Sequence, residues 1–396
     1  MNLRLLVFSA AAAVATFSLF ALAQTAAPAP TAAAPAVVEI PVPALNAAAF
    51  LVVEATSGQV LAEQNTRQKR DPASLTKLMT AYLVFDALHQ KQISLGQRMR
   101  VPERAWKAEG SRMFIAPGAP VTTEDMIRGL IIQSGNDAAI ALAVAVSGTE
   151  GDFVTKMNRQ AKKLGMDDTQ FLNPTGLTQQ GHYSTAHDLA VLSLALMRDF
   201  PQYMKFYAEK SFTFNKITQE NRNRLLFLDP TVDGLKTGHT DAAGWCLIAT
   251  VNRSPRKLLT VVLGAPSEAA RISESRKLID WAFTAFEGKR LYEAKKSIQQ
   301  LTVWKSAVDS IPVGFNDDVT AVTTTGKVWD ITTELTIAEP KFGPINAGDT
   351  VGLLKVKRAG NLIYERNIIA MESAPGAPIW KRMWHSVLLF FKGFTK

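Results

Sequence analysis

A mixed α/β (α+β) fold, with helices flanking an antiparallel sheet, is expected for the first part of this chain, followed by a small all-β domain and an amphipathic terminal helix. Three observations carry that expectation. Apolar residues at helical spacing follow Ser74, as Leu75, Leu78, Met79, Tyr82, Leu83 and Phe85. Three apolar, β-branched segments, 232–240, 245–251 and 258–263, are separated by short turns and read as adjacent antiparallel strands. From about Lys289 the helical pattern gives way to short strands punctuated by Gly, Pro and Asn. A chain of 396 residues with 47% hydrophobic content holds one large and one small domain and buries a sizeable core.

The chain opens with Arg4 and an apolar run from Leu5 to Ala21, then Ala21-Leu22-Ala23, the small-x-small pattern of a signal-peptidase site. Residues 1–23 therefore read as a secretory signal. The competing reading, an uncleaved membrane anchor, is disfavoured by the Ser and Thr that interrupt the run. Residues 24–44, with prolines at 28, 30, 35, 41 and 43, cannot bury enough surface to fold and form a disordered or extended linker.

The first folded domain is expected over 45–288. It starts with a hairpin, Phe50–Val53 and Val60–Ala62, turning at Thr56-Ser57-Gly58. Asp71-Pro72 precedes the Ser74 helix, a second helix runs from Glu124 to Ile132, and Gln133-Ser134-Gly135-Asn136 interrupts it before a third from Asp137 through Val146. Residues 164–183, rich in Gly, Asp, Asn and Pro, make a long loop, and loops of that length inside a compact domain are usually functional. Thr185 and Asp188 form a capping box for a helix through Met197, which assigns His187 and Asp188 structural roles. After the three strands a helix over 270–286 closes the domain. Residues 289–372 form the all-β domain, with strands at 297–304, 319–324, 334–337, 350–357 and 362–370, and 373–378 is a Pro/Gly linker.

Residues 379–396 place Trp380, Met383, Trp384, Val387, Leu388, Phe391 and Phe394 on one helical face, with Lys381, Arg382, His385 and Lys392 on much of the other. The cations interrupt any span of about 20 apolar residues, so the helix suits the membrane interface, its cations near anionic lipid headgroups. The alternative is docking on the protein's own core. The formal net charge of +9 shows no basic-aromatic interleaving and no nucleic-acid motif, so nucleic acid is not an expected partner. Cys246, the one cysteine, excludes an internal disulfide and sits in a strand pattern that buries it. No cluster of metal ligands appears, and neither metal nor cofactor is expected.

The chemistry is carried by three short motifs. Ser74-x-x-Lys77 sets a hydroxyl and an amine on one helical face. A serine hydroxyl needs a base within hydrogen-bond reach, and a lysine serves only where burial and a nearby cation keep it partly neutral. Ser134-Gly135-Asn136 lies in a break between two helices, and Lys236-Thr237-Gly238 lies on a predicted strand. Each alone is a common pattern. All three in this order, on helix, loop and strand, are specific.

With these motifs in view, the chain resembles the serine penicillin-binding proteins of low molecular mass, the D-alanyl-D-alanine carboxypeptidases, and within them the membrane-anchored subgroup typified by penicillin-binding protein 5. The likeness rests on Arg70-Asp71-Pro72-Ala73-Ser74-Leu75-Thr76-Lys77, Gln133-Ser134-Gly135-Asn136-Asp137, Asn173-Pro174-Thr175-Gly176-Leu177, Tyr183 to Asp188, and Asp233 through Thr240. The resemblance implies a penicillin-binding/β-lactamase-like fold and a serine peptidase that removes the terminal D-alanine from peptidoglycan pentapeptides and is acylated by β-lactams. It further implies that Ser74 is the nucleophile and Lys77 its base, depressed by the nearby Lys236, with Ser134 relaying the proton and Asn136 holding the peptide amide. Backbone N–H groups of Ser74 and His239 would bind the oxyanion, and Thr237 and Arg271, beside Gly238, the substrate carboxylate. It implies a periplasmic enzyme on the outer face of the cytoplasmic membrane. A D,D-endopeptidase and a non-catalytic wall-binding protein are the alternatives. Residues 161–200 contain no Glu, unlike the loop that carries the deacylating Glu in class A β-lactamases, so a β-lactam adduct should leave slowly.

Overall fold

A computed structural model describes residues 40–326 and 330–393, with side chains through Phe390. The expected signal segment 1–23, most of the linker, and the side chains of Phe391, Lys392 and Phe394 lie outside the described residues.

The hairpin forms as β1 (Ala49–Glu54) and β2 (Val60–Gln64), with Gly58 at φ +76° in its turn, a backbone region that glycine enters without cost. A 3₁₀ turn over Ala73–Thr76 leads into α1 (Lys77–His89). Then come α2 (Glu103–Trp106), α3 (Thr123–Ile132), α4 (Asn136–Ser147), α5 (Glu150–Leu164) and α6 (Ala186–Asp199). The sequence reading missed α5, although its signals are present: Thr149 accepts from Asp152 N–H at the start, and Gly165 at φ +78° ends it. After α7 (Lys205–Ala208), a small hairpin of β3 (Ser211–Phe214) and β4 (Ile217–Glu220) and α8 (Leu225–Leu228) precede the three long strands. These are β5 (Val232–Thr240), β6 (Gly244–Arg253) and β7 (Arg256–Ala265), followed by α9 (Glu268–Ala285).

The strands make one antiparallel sheet in the order β2-β1-β7-β6-β5, so the start of the domain is zipped between its end and the hairpin edge. Side chains alternate across it, as strand geometry requires. Phe50 and Val52 of β1 pack with Leu258, Val262 and with Leu278 and Trp281 of α9 on one face. Leu51 and Val53 pack with Leu259, Val261 and the helical cluster of α1, α3, α4 and α6 on the other. Residues 40–44 have no regular secondary structure, and the Trp281 indole N–H donates to the Ile40 carbonyl at 3.0 Å. Cys246 is buried and free on β6, its thiol pushed up to about 11 by burial.

Past α9 the chain turns directly into strands. β8 (Phe286–Tyr292) pairs with β11 (Val319–Thr324). β9 (Ser297–Trp304), β10 (Ser310–Gly314), β12 (Ile331–Thr336), β13 (Lys341–Phe342), β14 (Thr350–Arg358) and β15 (Asn361–Ala370) form a sheet ordered β12-β14-β15-β10-β9-β13. Its core holds Leu301, Val313, Phe315, Leu354, Val356 and Ile368.

The chain ends in α10 (Ile379–Gly393). Among the described residues no single helix is long and apolar enough to cross a membrane. One side of α10 touches the β domain: Lys381 Nζ donates to Asp309 Oδ1 at 2.8 Å, and His385 Nδ1 accepts from the Lys305 N–H at 2.8 Å. Lys381 and His385, expected near lipid headgroups, thus have polar partners on the β domain. Ile379, Trp380, Met383 and Trp384 are all more than half exposed.

Candidate active site

The nucleophile turn is held before it is used. Ala73 sits at φ +46° and its N–H donates to Asp71 Oδ1 at 2.8 Å, which throws Ser74 onto the 3₁₀ turn that feeds α1. Gly238 of β5 lies against Pro72, Ala73 and Leu75, where a β-carbon would crowd the Pro72 carbonyl. The strand that carries Lys236, Thr237 and Gly238 therefore runs alongside the turn that carries Ser74.

Lys77 is wholly buried, and its Nζ has three partners: Ser74 Oγ at 3.1 Å, Asn136 Oδ1 at 2.7 Å and the Thr175 carbonyl at 2.5 Å. Asn136 has no freedom to flip, since its Nδ2 donates to the Glu109 carbonyl at 2.7 Å. A neutral amine has two N–H donors and one lone pair. The amide and the backbone carbonyl can only accept, so they take both N–H groups and leave the lone pair for the serine hydroxyl. Burial, then the Arg222 charge, brings the Lys77 amine down to about 7, while Asp137 opposes the shift.

Lys236 is the second buried amine, and it donates to Ser134 Oγ at 3.0 Å and the Thr237 carbonyl at 3.1 Å. Its pKa lies well below the usual lysine value, through burial first and then the Lys77 charge. Lys77 and Lys236 repel each other across the site, as expected, but that repulsion is not the main cause of the Lys77 shift. Desolvation of the Lys77 pocket is the larger cause, and Arg222 is the cation that adds to it. Arg222 was not singled out from the sequence. Its Nε donates to the Gln133 carbonyl at 3.1 Å, and the buried Asn221 and Asn223 on either side are its local hint.

Ser134 bridges α3 and α4 at φ +63°, a conformation that a side chain rarely adopts and that costs about 1–3 kcal/mol. Asp137, expected as a helix opener, has a second task. Its carboxylate accepts from the N–H groups of Met113, Phe114 and Ile115, at 3.0, 2.8 and 3.3 Å, and pins the segment that follows Ser111, a residue lining the cavity.

The long loop between α5 and α6 packs against the nucleophile turn and the start of α1. Thr80 Oγ1 donates to the Pro174 carbonyl at 2.7 Å, and Asn173 Oδ1 accepts from the Thr175 and Gly176 N–H groups. Gly176 is at φ +83° and lies so close to the Ala73 carbonyl that a β-carbon has no room. His182 Nδ1 accepts from Leu172 N–H at 3.1 Å, so its Nε2–H donates to Thr76 Oγ1 at 2.9 Å, and burial pushes this imidazole down to about 4. The capping box forms by half: Thr185 accepts from Asp188 N–H, but the Asp188 carboxylate takes the Asp168 N–H and the Thr169 hydroxyl instead. His187 stays beside it, Nδ1 to Asp188 Oδ1 at 3.1 Å.

Ser74, Ser134, Thr237, Gly238, His239 and Arg271 line one cavity of about 200 Å³, together with Ser111, Arg222, Trp245 and Glu268. Lys77 and Asn136 lie beneath it, bonded to its floor at Ser74 and to each other. All nine side chains or backbones expected at the site are thus brought together. His239 stacks on Trp245, ring centres 3.9 Å apart, and the Arg271 guanidinium lies 5.1 Å from the same indole.

A helix-and-sheet body with a serine hydroxyl bonded to a buried lysine, faced by a second lysine from the sheet edge, defines a serine hydrolase. Residues 35–267 match the family model for D-alanyl-D-alanine carboxypeptidase, and residues 286–375 match that for the C-terminal domain of penicillin-binding protein 5. The chain belongs to the D-alanyl-D-alanine carboxypeptidase family. It is 38% identical over 357 residues to the D-alanyl-D-alanine carboxypeptidase DacC of Escherichia coli, covering 88% of this chain and 89% of that protein. DacA of Haemophilus influenzae is 36% identical, over 89% of this chain and 91% of its own length. Among solved structures, penicillin binding protein 5 from Haemophilus influenzae aligns with a TM-score of 0.70 at 35% identity, over 85% of this chain and 99% of that one. Penicillin-Binding Protein D2 from Listeria monocytogenes, in its ampicillin-bound form, aligns with a TM-score of 0.57 at 32% identity, over 62% of this chain and all of that one.

Proposed function

We propose that this protein removes the terminal D-alanine from peptidoglycan pentapeptide stems through an acyl-enzyme on Ser74. The observation that carries the reading is that Lys77 Nζ lies within hydrogen-bond reach of Ser74 Oγ, Asn136 Oδ1 and the Thr175 carbonyl, so that in the neutral amine the last two take both N–H groups and the lone pair is left for Ser74. Ser74 Oγ attacks the carbonyl carbon between the two D-alanines and its proton passes to Lys77 Nζ. The negative oxygen that forms is bound by the Ser74 and His239 N–H groups. The C–N bond then breaks, and the amine leaves with a proton relayed by Ser134, which Lys236 orients. Water attacks the Ser74 ester and gives a proton to Lys77 Nζ, and the ester C–O bond breaks as that proton returns to Ser74 Oγ, releasing the shortened stem. Asn136 fixes Lys77 and offers its amide to the peptide, and Thr237 and Arg271 hold the terminal carboxylate.

In this reading residues 45–288 do the chemistry, 289–372 act as a stalk, and 379–396 hold the enzyme to anionic lipid on the outer face of the cytoplasmic membrane, after export and removal of residues 1–23. The exposed Trp380, Met383 and Trp384 support the lipid contact. A β-lactam presents the same amide and carboxylate, and a relative of this chain has been solved with ampicillin bound. Residues 161–200 contain no Glu that could activate a deacylating water, so the adduct persists.

Intact-mass analysis after incubation with a penicillin tests this directly. One long-lived adduct, mapped to the Ser74 peptide and lost in Ser74→Ala, is expected. Rapid hydrolysis of the penicillin with no adduct, or labelling that survives Ser74→Ala, would remove the proposal.

A further inference from the structure

We propose that Glu268 is a specificity-determining residue, an internal carboxylate that occupies Arg271 in the free enzyme and competes there with the carboxylate of a substrate. This rests on the reading of Arg271 as the carboxylate-binding residue. The Arg271 side chain is 4% exposed, and its Nη2 donates to Glu268 Oε1 at 2.7 Å. Its Nε finds no acceptor among the described residues. Trp245 covers one face of the guanidinium at 5.1 Å. A buried guanidinium carries five donors, and this one leaves part of its fork unused beside a cavity that also contains Ser74.

Glu268 is built differently from its partner. It lies one helical turn before Arg271 on α9, lines the same cavity, and is 48% exposed. Its carboxylate can therefore swing into water at little cost, whereas Arg271 cannot follow it. A ligand carboxylate brought to the fork meets a site that is already half neutralised, and it either replaces Glu268 or feels its negative charge nearby. A neutral chain end meets no such contest. Glu268 thus lowers the affinity for free-acid termini relative to amidated ones, and sets how strongly Arg271 selects between them.

The test compares an N-acyl-D-alanyl-D-alanine peptide with its C-terminal carboxamide on the full-length enzyme, reading release of D-alanine or D-alaninamide by chromatography. Glu268→Gln should raise kcat/KM for the acid about 2- to 5-fold through KM, the scale of a partly exposed ion pair, and leave the carboxamide unchanged. Glu268→Asp should keep the acid-to-amide ratio near that of the parent, and Arg271→Gln should collapse it. If Glu268→Gln leaves that ratio unchanged, or weakens both peptides alike, while Arg271→Gln still collapses it, the role of Glu268 is overturned and the carboxylate site stands. If Arg271→Gln leaves the ratio intact, the carboxylate site itself is misassigned. Thermal unfolding of Glu268→Gln separates a loss at the start of α9 from a change in selection, since only the latter distinguishes the two peptides.

Discussion

Lys77 is the side chain on which the chemistry turns. Its amine is near 7 because it is buried and close to Arg222, so its proton is lost in the range where the enzyme would work. Only the neutral form can accept the Ser74 proton. The acylation rate with a penicillin should therefore fall as the pH drops through about 7 and level off above it, which a stopped-flow profile would display. Lys77→Arg keeps the positive charge but loses the basic lone pair, and acylation should fall by roughly 10³-fold or more while the fold survives. Ser74, Lys77, Ser134, Asn136 and Lys236 were legible as motifs because nucleophile, base and orienting groups must lie within fixed reach of one another on regular elements. Arg222 was not legible. Its influence depends on where a loop between β4 and α8 is carried, and no local pattern records that.

Loops and helix ends decide whether the motifs meet. The break between α3 and α4 was readable from Ser134-Gly135-Asn136, but the hold that Asp137 has on residues 113–115 joins segments more than twenty positions apart. Asp137 is fully buried, and each carboxylate oxygen accepts backbone N–H groups. Asp137→Asn turns one acceptor into a donor facing those N–H groups, at a cost of about 2–3 kcal/mol. Denaturant unfolding should show that loss, and acylation should slow as well, because residues 113–115 follow Ser111, which lines the cavity and whose carbonyl accepts the Asn136 N–H at 2.7 Å. The loop of residues 164–183 was expected to be functional from its length and composition. Its link to the site is physical: the Thr175 carbonyl is one of the two acceptors that aim the lone pair of Lys77.

Taken together, the two folded parts are joined rather than merely tethered. Arg256 of β7 pairs with Glu54 of β1 at 3.1 Å and donates to the carbonyls of Ala282 and Phe286, where α9 becomes β8. Thr320 of β11 donates to the Pro255 carbonyl at 3.3 Å, and Tyr364 of β15 donates to the Thr320 carbonyl at 2.9 Å. Bonds of this kind fix the β domain to the sheet that carries Lys236 and Thr237. Deletion of residues 379–396 should release the protein from anionic vesicles in a flotation assay and leave penicillin acylation within about 2-fold. Continued flotation of the shortened chain would end the anchor proposal.

The order of helices and strands, the three motifs and the amphipathic end were all present in the amino-acid pattern, because periodicity and reactive spacing are local properties of a chain. That Arg222 adds to the burial of Lys77, which carboxylate occupies Arg271, and which polar side chains of α10 meet the β domain are not local. They depend on distances between segments that burial brings together, and a linear sequence holds no record of the desolvation that makes those charges matter.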